Sequence, residues 1–199
     1  LGYSAAGALT EGEGNVAVGS NALRDETTGI RNVAIGGNAM ASSQLSNYNT
    51  AIGYQALENV TQSTLANTYN IGVGAFAGRL ITTGVANTLM GGFAGDALTT
   101  GSYNTALGMQ ALSTETGGSY NVAVGIGALE LLNTNSAAYN TAMGYNAAQL
   151  TTTGIENVII GGGAGDALTT GHRNTVLGTY ALSMENTGGR NTAIGFRTL

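Results

Sequence analysis

One phrase organises the chain: Asn, then Thr, Val or Ile, then a mostly small residue, a larger aliphatic and Gly. It recurs eleven times in 199 residues, starting at Asn15, Asn32, Asn49, Asn70, Asn87, Asn104, Asn121, Asn140, Asn157, Asn174 and Asn191. The starts lie 17 residues apart, except for insertions of four residues after Asn49 and two after Asn121. A period of this length held over the whole chain is the signature of a solenoid, in which each repeat is one coil that buries its core only against its neighbours. Seventeen residues are too few for two average helices with their turns, but they suffice for two short strands and two corners.

The columns of the repeat assign these parts. Four residues after each Asn stands Gly, from Gly19 to Gly195, and three after it stands an aliphatic such as Val18, Ile35, Met90 or Ile194. "NTAIG" therefore reads as a half-buried strand ended by a Gly corner. Seven after the Asn comes Ala in the first ten copies, from Ala22 to Ala181, and this "xxAL" segment is expected to be a second short strand. The "TTG" stretches at Thr82–Gly84, Thr99–Gly101 and Thr169–Gly171 read as the second turn. With the partial phrase Leu1-Gly2, this predicts an all-β parallel solenoid of about twelve coils, a single unit over 1–199 and on the order of 55 Å long at strand spacing. The eleven Asn should stack as a ladder of side-chain amides at one corner. Both ends fall inside a repeat, and the expectation is a fragment of a longer fibre protein.

Composition argues against several function classes. The net charge is −5, with six Arg and no Lys, so no basic patch suits nucleic acid. There is no Cys, and no 18-residue apolar run for membrane insertion. His172, the single His, lies in a turn and reads as a solvated residue, and no G-x-S-x-G elbow occurs. "GGGAGD" at Gly161–Asp166 resembles a phosphate loop, yet "GGFAGD" at Gly91–Asp96 shows it to be the repeat's own corner, and a Walker loop needs Lys. Glu115 and Glu130 are a possible carboxylate pair on neighbouring coils, but the remaining carboxylates are scattered. The reading is non-enzymatic, with no catalytic, metal or cofactor-binding residues.

"NVAVGSNAL", "NTAIGYQAL", "NTALGMQAL", "NVAVGIGAL" and "NTAMGYNAA" resemble the head repeats of trimeric autotransporter adhesins. They resemble more closely the "NTAxGYxAL…TTGxN" repeats of phage and phage-like tail fibres, which share the longer coil with its Thr-Gly turn. The resemblance covers nearly the whole chain. It implies a left-handed parallel β-roll, three chains around a threefold axis, and a place in a virion tail fibre or on an extracellular cell surface. It also implies that a self-cleaving chaperone domain can follow such a segment.

The function expected is a rigid homotrimeric rod of a phage tail fibre that presents or forms a host-receptor-binding surface. A bacterial trimeric adhesin head and an ice- or surface-binding solenoid are the alternatives. The last rests on Thr50, Thr88, Thr105, Thr141, Thr175 and Thr192 one after the Asn, a file that Val and Ile interrupt. Leu89, Ile159 and Val176, where Ala is usual, and Phe76 and Phe93 are expected on files that a partner chain covers. Arg31, Tyr48, Tyr69, Tyr103, Tyr120, Tyr139, Arg173 and Arg190 precede the Asn; they either cover the corner or form a contact strip. The two insertions must bulge from the stack as loops at one corner. Asn59, Thr61, Gln62, Thr64 and Tyr69 of the first, with Asn133, Asn135, Ser136 and Tyr139 of the second, are candidate contacts for a surface glycan or protein. Finally, Glu58, Arg79 and Asp96 occupy one column and should form a charge ladder, with Arg79–Asp96 its firmer pair.

Overall fold

The computed structural model describes all 199 residues as an all-β parallel solenoid without helix. Its strands are β1 (Val16–Val18), β2 (Val33–Ile35), β3 (Gln44–Asn47), β4 (Thr50–Ile52), β5 (Thr61–Asn67), β6 (Ile71–Val73), β7 (Thr88–Met90), β8 (Thr105–Leu107), β9 (Val122–Val124), β10 (Thr141–Met143), β11 (Val158–Ile160), β12 (Thr175–Leu177) and β13 (Thr192–Ile194). Eleven of them form one parallel sheet in coil order, from β1 to β13 without β3 and β5. The register is unbroken: Val16 faces Val33, and Thr88 faces Thr105. The molecule thus has about eleven coils, each adding one three-residue strand; residues before Asn15 add a partial coil, bonded through Gly19 N to Leu1 O and Asn21 N to Tyr3 O.

The expected second strand is absent. The "xxAL" segment is a run of turns, because φ is positive at the sixth and eighth positions after the Asn and not at the Ala between them, as at Asn21 (57°), Ala22 and Leu23 (53°). Alternating handedness aims successive peptides at opposite neighbours. Asn38 N donates to Ser20 O of the preceding coil at 2.9 Å, and Met40 N to Ala56 O of the following coil at 3.0 Å. The segment therefore bonds to both neighbours, as a strand does, without extended geometry. A left-handed conformation costs roughly 1–2 kcal/mol per non-Gly residue, which these bonds offset in every coil.

One column demands glycine by its backbone conformation. The Gly that ends each strand has φ from 122° to 140° in the eleven copies, a region closed to side chains. A Cβ on Gly91 would also lie 2.5 Å from Gly108 O of the next coil. The column sets how closely coils stack there.

Each strand sends one residue inward and two outward, the alternation of a pleat. Ala51, Ala106 and Ala123 point in, beside Ala and Leu of the turn segment and Ile81, Leu98, Leu132 or Leu168 of the next turn; 31 buried residues form one core. Leu89 and Ile159 are correspondingly buried in their own coil, not on a partner-facing file, and Val176 is 1% exposed. For Leu89 and Ile159 the core makes room by exchange, whereas the Val176 coil keeps Leu182. Where most coils have Ala in the strand and Leu or Met in the turn, the Leu89 coil has Gly95 and the Ile159 coil has Gly165. A Cβ on Gly95 would fall 2.8 Å from Leu89 Cδ2.

Candidate recognition surface

The Asn column is internal. At all ten steps the backbone N–H of one Asn donates to Oδ1 of the preceding Asn, at 2.9–3.2 Å. In eight coils Nδ2 donates to the carbonyl fourteen residues on, usually a turn Gly, as from Asn87 to Gly101 O at 2.9 Å. The ladder ties strand start to turn end within a coil and each coil to the next. Asn15, Asn32, Asn49, Asn70, Asn87, Asn104, Asn121, Asn140, Asn157, Asn174 and Asn191 are thereby scaffold, and all but the first and last are buried.

The outward strand face is uncharged and largely aliphatic. The first and third strand positions form two files along the rod, with Val16, Ile35, Ile52, Met90, Met143 and Leu177 exposed. Beside them Phe76 stacks on Phe93 at 4.8 Å and meets Tyr54 edge-on at 5.4 Å. The Thr residues of the first position interleave with Val16, Ile71 and Val158 on the same face.

The column before the Asn forms an exposed edge. Tyr48 stacks on Tyr69 at 5.2 Å, Tyr103 on Tyr120 at 5.1 Å, and Tyr120 on Tyr139 at 5.0 Å. Arg31 lies over the Tyr48 ring at 5.5 Å and donates from Nη1 to Tyr48 Oη at 2.6 Å. Arg173 pairs with Glu156 of the same column at 2.6 Å. Tyr69 and Tyr139 remain 53% and 55% exposed, so each ring keeps open surface.

Both insertions adjoin this edge. In the first, Gln44 pairs with Thr61 but Ser46 with Ala66, so three extra residues bulge, leaving Ser63, Thr64 and Leu65 exposed. The flanking residues form the small β3–β5 sheet, which the repeat pattern did not signal. Several candidate contacts there are tied back: Asn59 Nδ2 donates to Arg79 O at 2.8 Å, Gln62 Nε2 to Thr82 O at 3.3 Å, and Thr61 Oγ1 to Asn59 O at 3.1 Å. Thr64 projects freely. In the second insertion Thr116 Oγ1 bonds Oδ1 of both Asn133 and Asn135, while Ser136 O accepts from Ser119 N at 3.2 Å; Asn135 and Ser136 stay exposed.

The carboxylates divide by surroundings. Glu115 is buried and accepts from the N–H groups of Thr116, Gly117, Gly118 and Thr134, whereas Glu130 accepts from Gln149 Nε2 on the surface; the two are turn fasteners rather than a facing pair. Glu26 is held likewise by Gly29, Leu45 and Ser46. Glu185 accepts from Asn186, Thr187 and Gly188, and these bonds, that from Gly188 foremost, hold its carboxyl below the ordinary range. The charge ladder does not form. The ion pairs are Arg24–Asp25 and Arg173–Glu156, while Arg79 turns over the Phe76 ring at 5.5 Å with Nε unpartnered. The guanidinium packs on the aromatic stack instead of pairing with Asp96, on which its charge still acts. Burial pushes the carboxyls of Asp96 and Asp166 up, and Asp166 Oδ1 is buried without a partner. His172 is half-buried in its turn. No group of three or more His, Asp or Glu is placed to hold a metal ion, and no helix is long and apolar enough to cross a membrane.

Comparison with protein-family models, with curated proteins and with solved structures gave no match. The functional reading rests on the chain's own residues.

Proposed function

We propose that this chain is a structural and adhesive segment, a rod of a homotrimeric fibre of the phage tail-fibre kind that carries host-contact surface. The observation behind the proposal is the outward strand face. Ten coil steps of about 4.8 Å and a width of three residues make an uncharged strip of aliphatic side chains and Thr, roughly 48 Å by 10 Å. With the flanking Phe76–Phe93 files it reaches the upper end of what a monomer leaves open and approaches the roughly 800 Å² that each partner gives to a stable interface. The face is in unbroken register, which suits identical chains packed in parallel. On this reading the Tyr edge and the exposed parts of the two insertions, Thr64, Tyr69, Asn135, Ser136 and Tyr139, face a host glycan or protein, and the rod works outside the cell, in a virion.

Sedimentation equilibrium of the chain tests the assembly. The expected mass is three times 19.9 kDa. Ile52→Lys with Met143→Lys, both on the exposed face, should give a folded monomer. A wild-type monomer at micromolar concentration would overturn the trimer. Trimming both insertions to the 17-residue period should leave a trimer that no longer adsorbs to host cells; full adsorption by the trimmed chain would make this segment shaft only. A thermal-hysteresis signal would favour a surface-binding solenoid instead.

A further inference from the structure

The tyrosine edge is interrupted once, and the interruption has the thickness of one flat group. In chain order the column reads Tyr48, Tyr69, Ala86, Tyr103, Tyr120, Tyr139. Ala86 keeps the backbone of its neighbours, with φ 55° against 52° at Tyr69 and 60° at Tyr103. Its amide bonds back to the preceding coil, to Thr68 O at 2.7 Å, as Tyr103 N does to Val85 O at 3.0 Å. So the coil at Ala86 is in place and only a ring is missing. Tyr69 has one face on Tyr48, and Tyr103 has one face on Tyr120. Their other faces look across the Ala86 coil at each other, two steps or about 10 Å apart. A planar group in that gap would lie about 5 Å from each ring, the spacing already seen at 5.0–5.2 Å within the file. Asn67 Nδ2 donates to Tyr69 Oη at 3.3 Å and steadies one wall.

We propose that the slot between Tyr69 and Tyr103 over Ala86 binds the guanidinium of an arginine side chain presented by a protein partner. The file itself displays that chemistry: Arg31 occupies the same column one step from Tyr48, lies over its ring at 5.5 Å and bonds its hydroxyl at 2.6 Å. A guanidinium is flat, keeps its charge at all working pH values and stacks on aromatic faces while its N–H groups reach hydroxyls at the rim. The slot offers two faces where Arg31 has one. The chain's net charge of −5 favours a cation over a neutral ring. The inference shares Tyr69 with the proposed host-contact surface, but it requires neither the insertions nor the trimer.

The test is a titration of the ¹³C-labelled chain with arginine methyl ester, followed by the ring signals of each tyrosine. Tyr69 and Tyr103 should shift together and saturate, with Tyr145, which is off this column, unmoved. Lysine methyl ester, equally charged but not planar, should bind at least two- to fivefold more weakly, the factor expected from one added stacked face. Ala86→Tyr fills the slot with the residue that the neighbouring coils already carry, and should keep the melting temperature while abolishing the response. Equal shifts at Tyr145, equal affinity for the lysine ester, tighter binding of indole than of the arginine ester, or an unchanged response in A86Y would each overturn the proposal. A concentration series of the chain alone separates the sources. Movement of the same two rings without added ester assigns the arginine to a second copy, and stationary rings assign it to another protein. The titration needs no host cell, so its failure is distinct from a failure of the insertions to mediate adsorption.

Discussion

Removing one rung of the Asn ladder should destabilise the rod far more than the loss of one side chain implies. Asn104 is 1% exposed. Its Oδ1 accepts from Asn121 N at 3.0 Å and from Asn121 Nδ2 at 3.1 Å, and its Nδ2 donates to Asn87 Oδ1 at 3.1 Å and Gly118 O at 2.9 Å. Asn104→Ala leaves the Asn121 N–H without an acceptor and Gly118 O without its side-chain donor, in a place that water does not reach. An unmet buried polar group costs about 1–3 kcal/mol, and two give about 2–5 kcal/mol once partial relaxation is allowed. For a chain of 199 residues that is roughly 4–20 °C in melting temperature. Asn191→Ala is the internal control: Asn191 is only half-buried, its own N–H still reaches Asn174 Oδ1 at 2.9 Å, and no later rung depends on it. It should lose under about 1 kcal/mol. The assay is urea unfolding followed by far-UV circular dichroism at fixed protein concentration. If N104A falls within 0.5 kcal/mol of N191A, an order-of-magnitude threshold for separate effects, the buried-partner argument is refuted.

Two neighbouring glycines should behave in opposite ways. Gly91→Ala, at φ 136° with Gly108 O 2.5 Å from the new Cβ, should prevent folding, whereas Gly92→Ala, with nothing within 4 Å, should shift the melting temperature by less than a degree or two; soluble yield and melting curves check both. Leu89→Ala should cost about 2–5 kcal/mol by opening a cavity, and adding Gly95→Leu, which restores the Ala-and-Leu arrangement of the Asn104 coil, should recover much of it in a double-mutant cycle. Burial holds the Asp166 carboxyl above its ordinary range, so the folded chain takes up that proton more readily than the unfolded one. As pH falls from neutral through the Asp range, protonation therefore favours the fold, and Asp166→Asn should raise the melting temperature at pH 7 and narrow the difference at pH 4.

The coil period, the core column of the strand and the corner Gly were all visible in the sequence, because each depends on one residue type repeated at one position. The turn segment was not. Its left-handed positions are filled by Leu, Met, Tyr and Gln as well as Asn and Gly, so they carry no single-residue mark, and "NAL" reads as a strand. A trace did exist: the sixth and eighth positions are the ones where Gly127, Gly163, Gly78, Gly95 and Gly165 also occur, each with positive φ. The charge ladder failed for a different reason. The column was correct, since Leu80 N bonds Asp96 O at 3.2 Å across the same step, but a column says nothing about competition from Phe76 three residues away. At the surface, the sequence located the insertions and the Tyr column, while the bonds that tie Asn59 and Gln62 back to their neighbours depend on backbone carbonyls that no residue letter reveals.

The exchange of Leu89 for Gly95, and of Ile159 for Gly165, bears on how the rod divides its tasks. Inside, the largest strand residues, Leu89 and Ile159, are matched by Gly in the turn of the same coil, while the Gly72–Gly78 coil is filled by Leu57 and Leu89 of its neighbours. Outside, no such exchange operates. The third strand position is aliphatic or Met in every coil, from Val18 to Ile194, and remains exposed or half-buried in all of them. A solvated face of an isolated rod would be free to carry charge, and charge on a flat parallel sheet would also discourage association. Here no Arg, Asp or Glu occupies the first or third position of any strand in the main sheet. The inward column varies in size, and the outward columns, Thr, Val or Ile at the first position and aliphatic or Met at the third, carry no charge. Under the proposed assembly, the outward strand positions, rather than the buried Leu89, Ile159 and Val176, are where a charge should separate the chains.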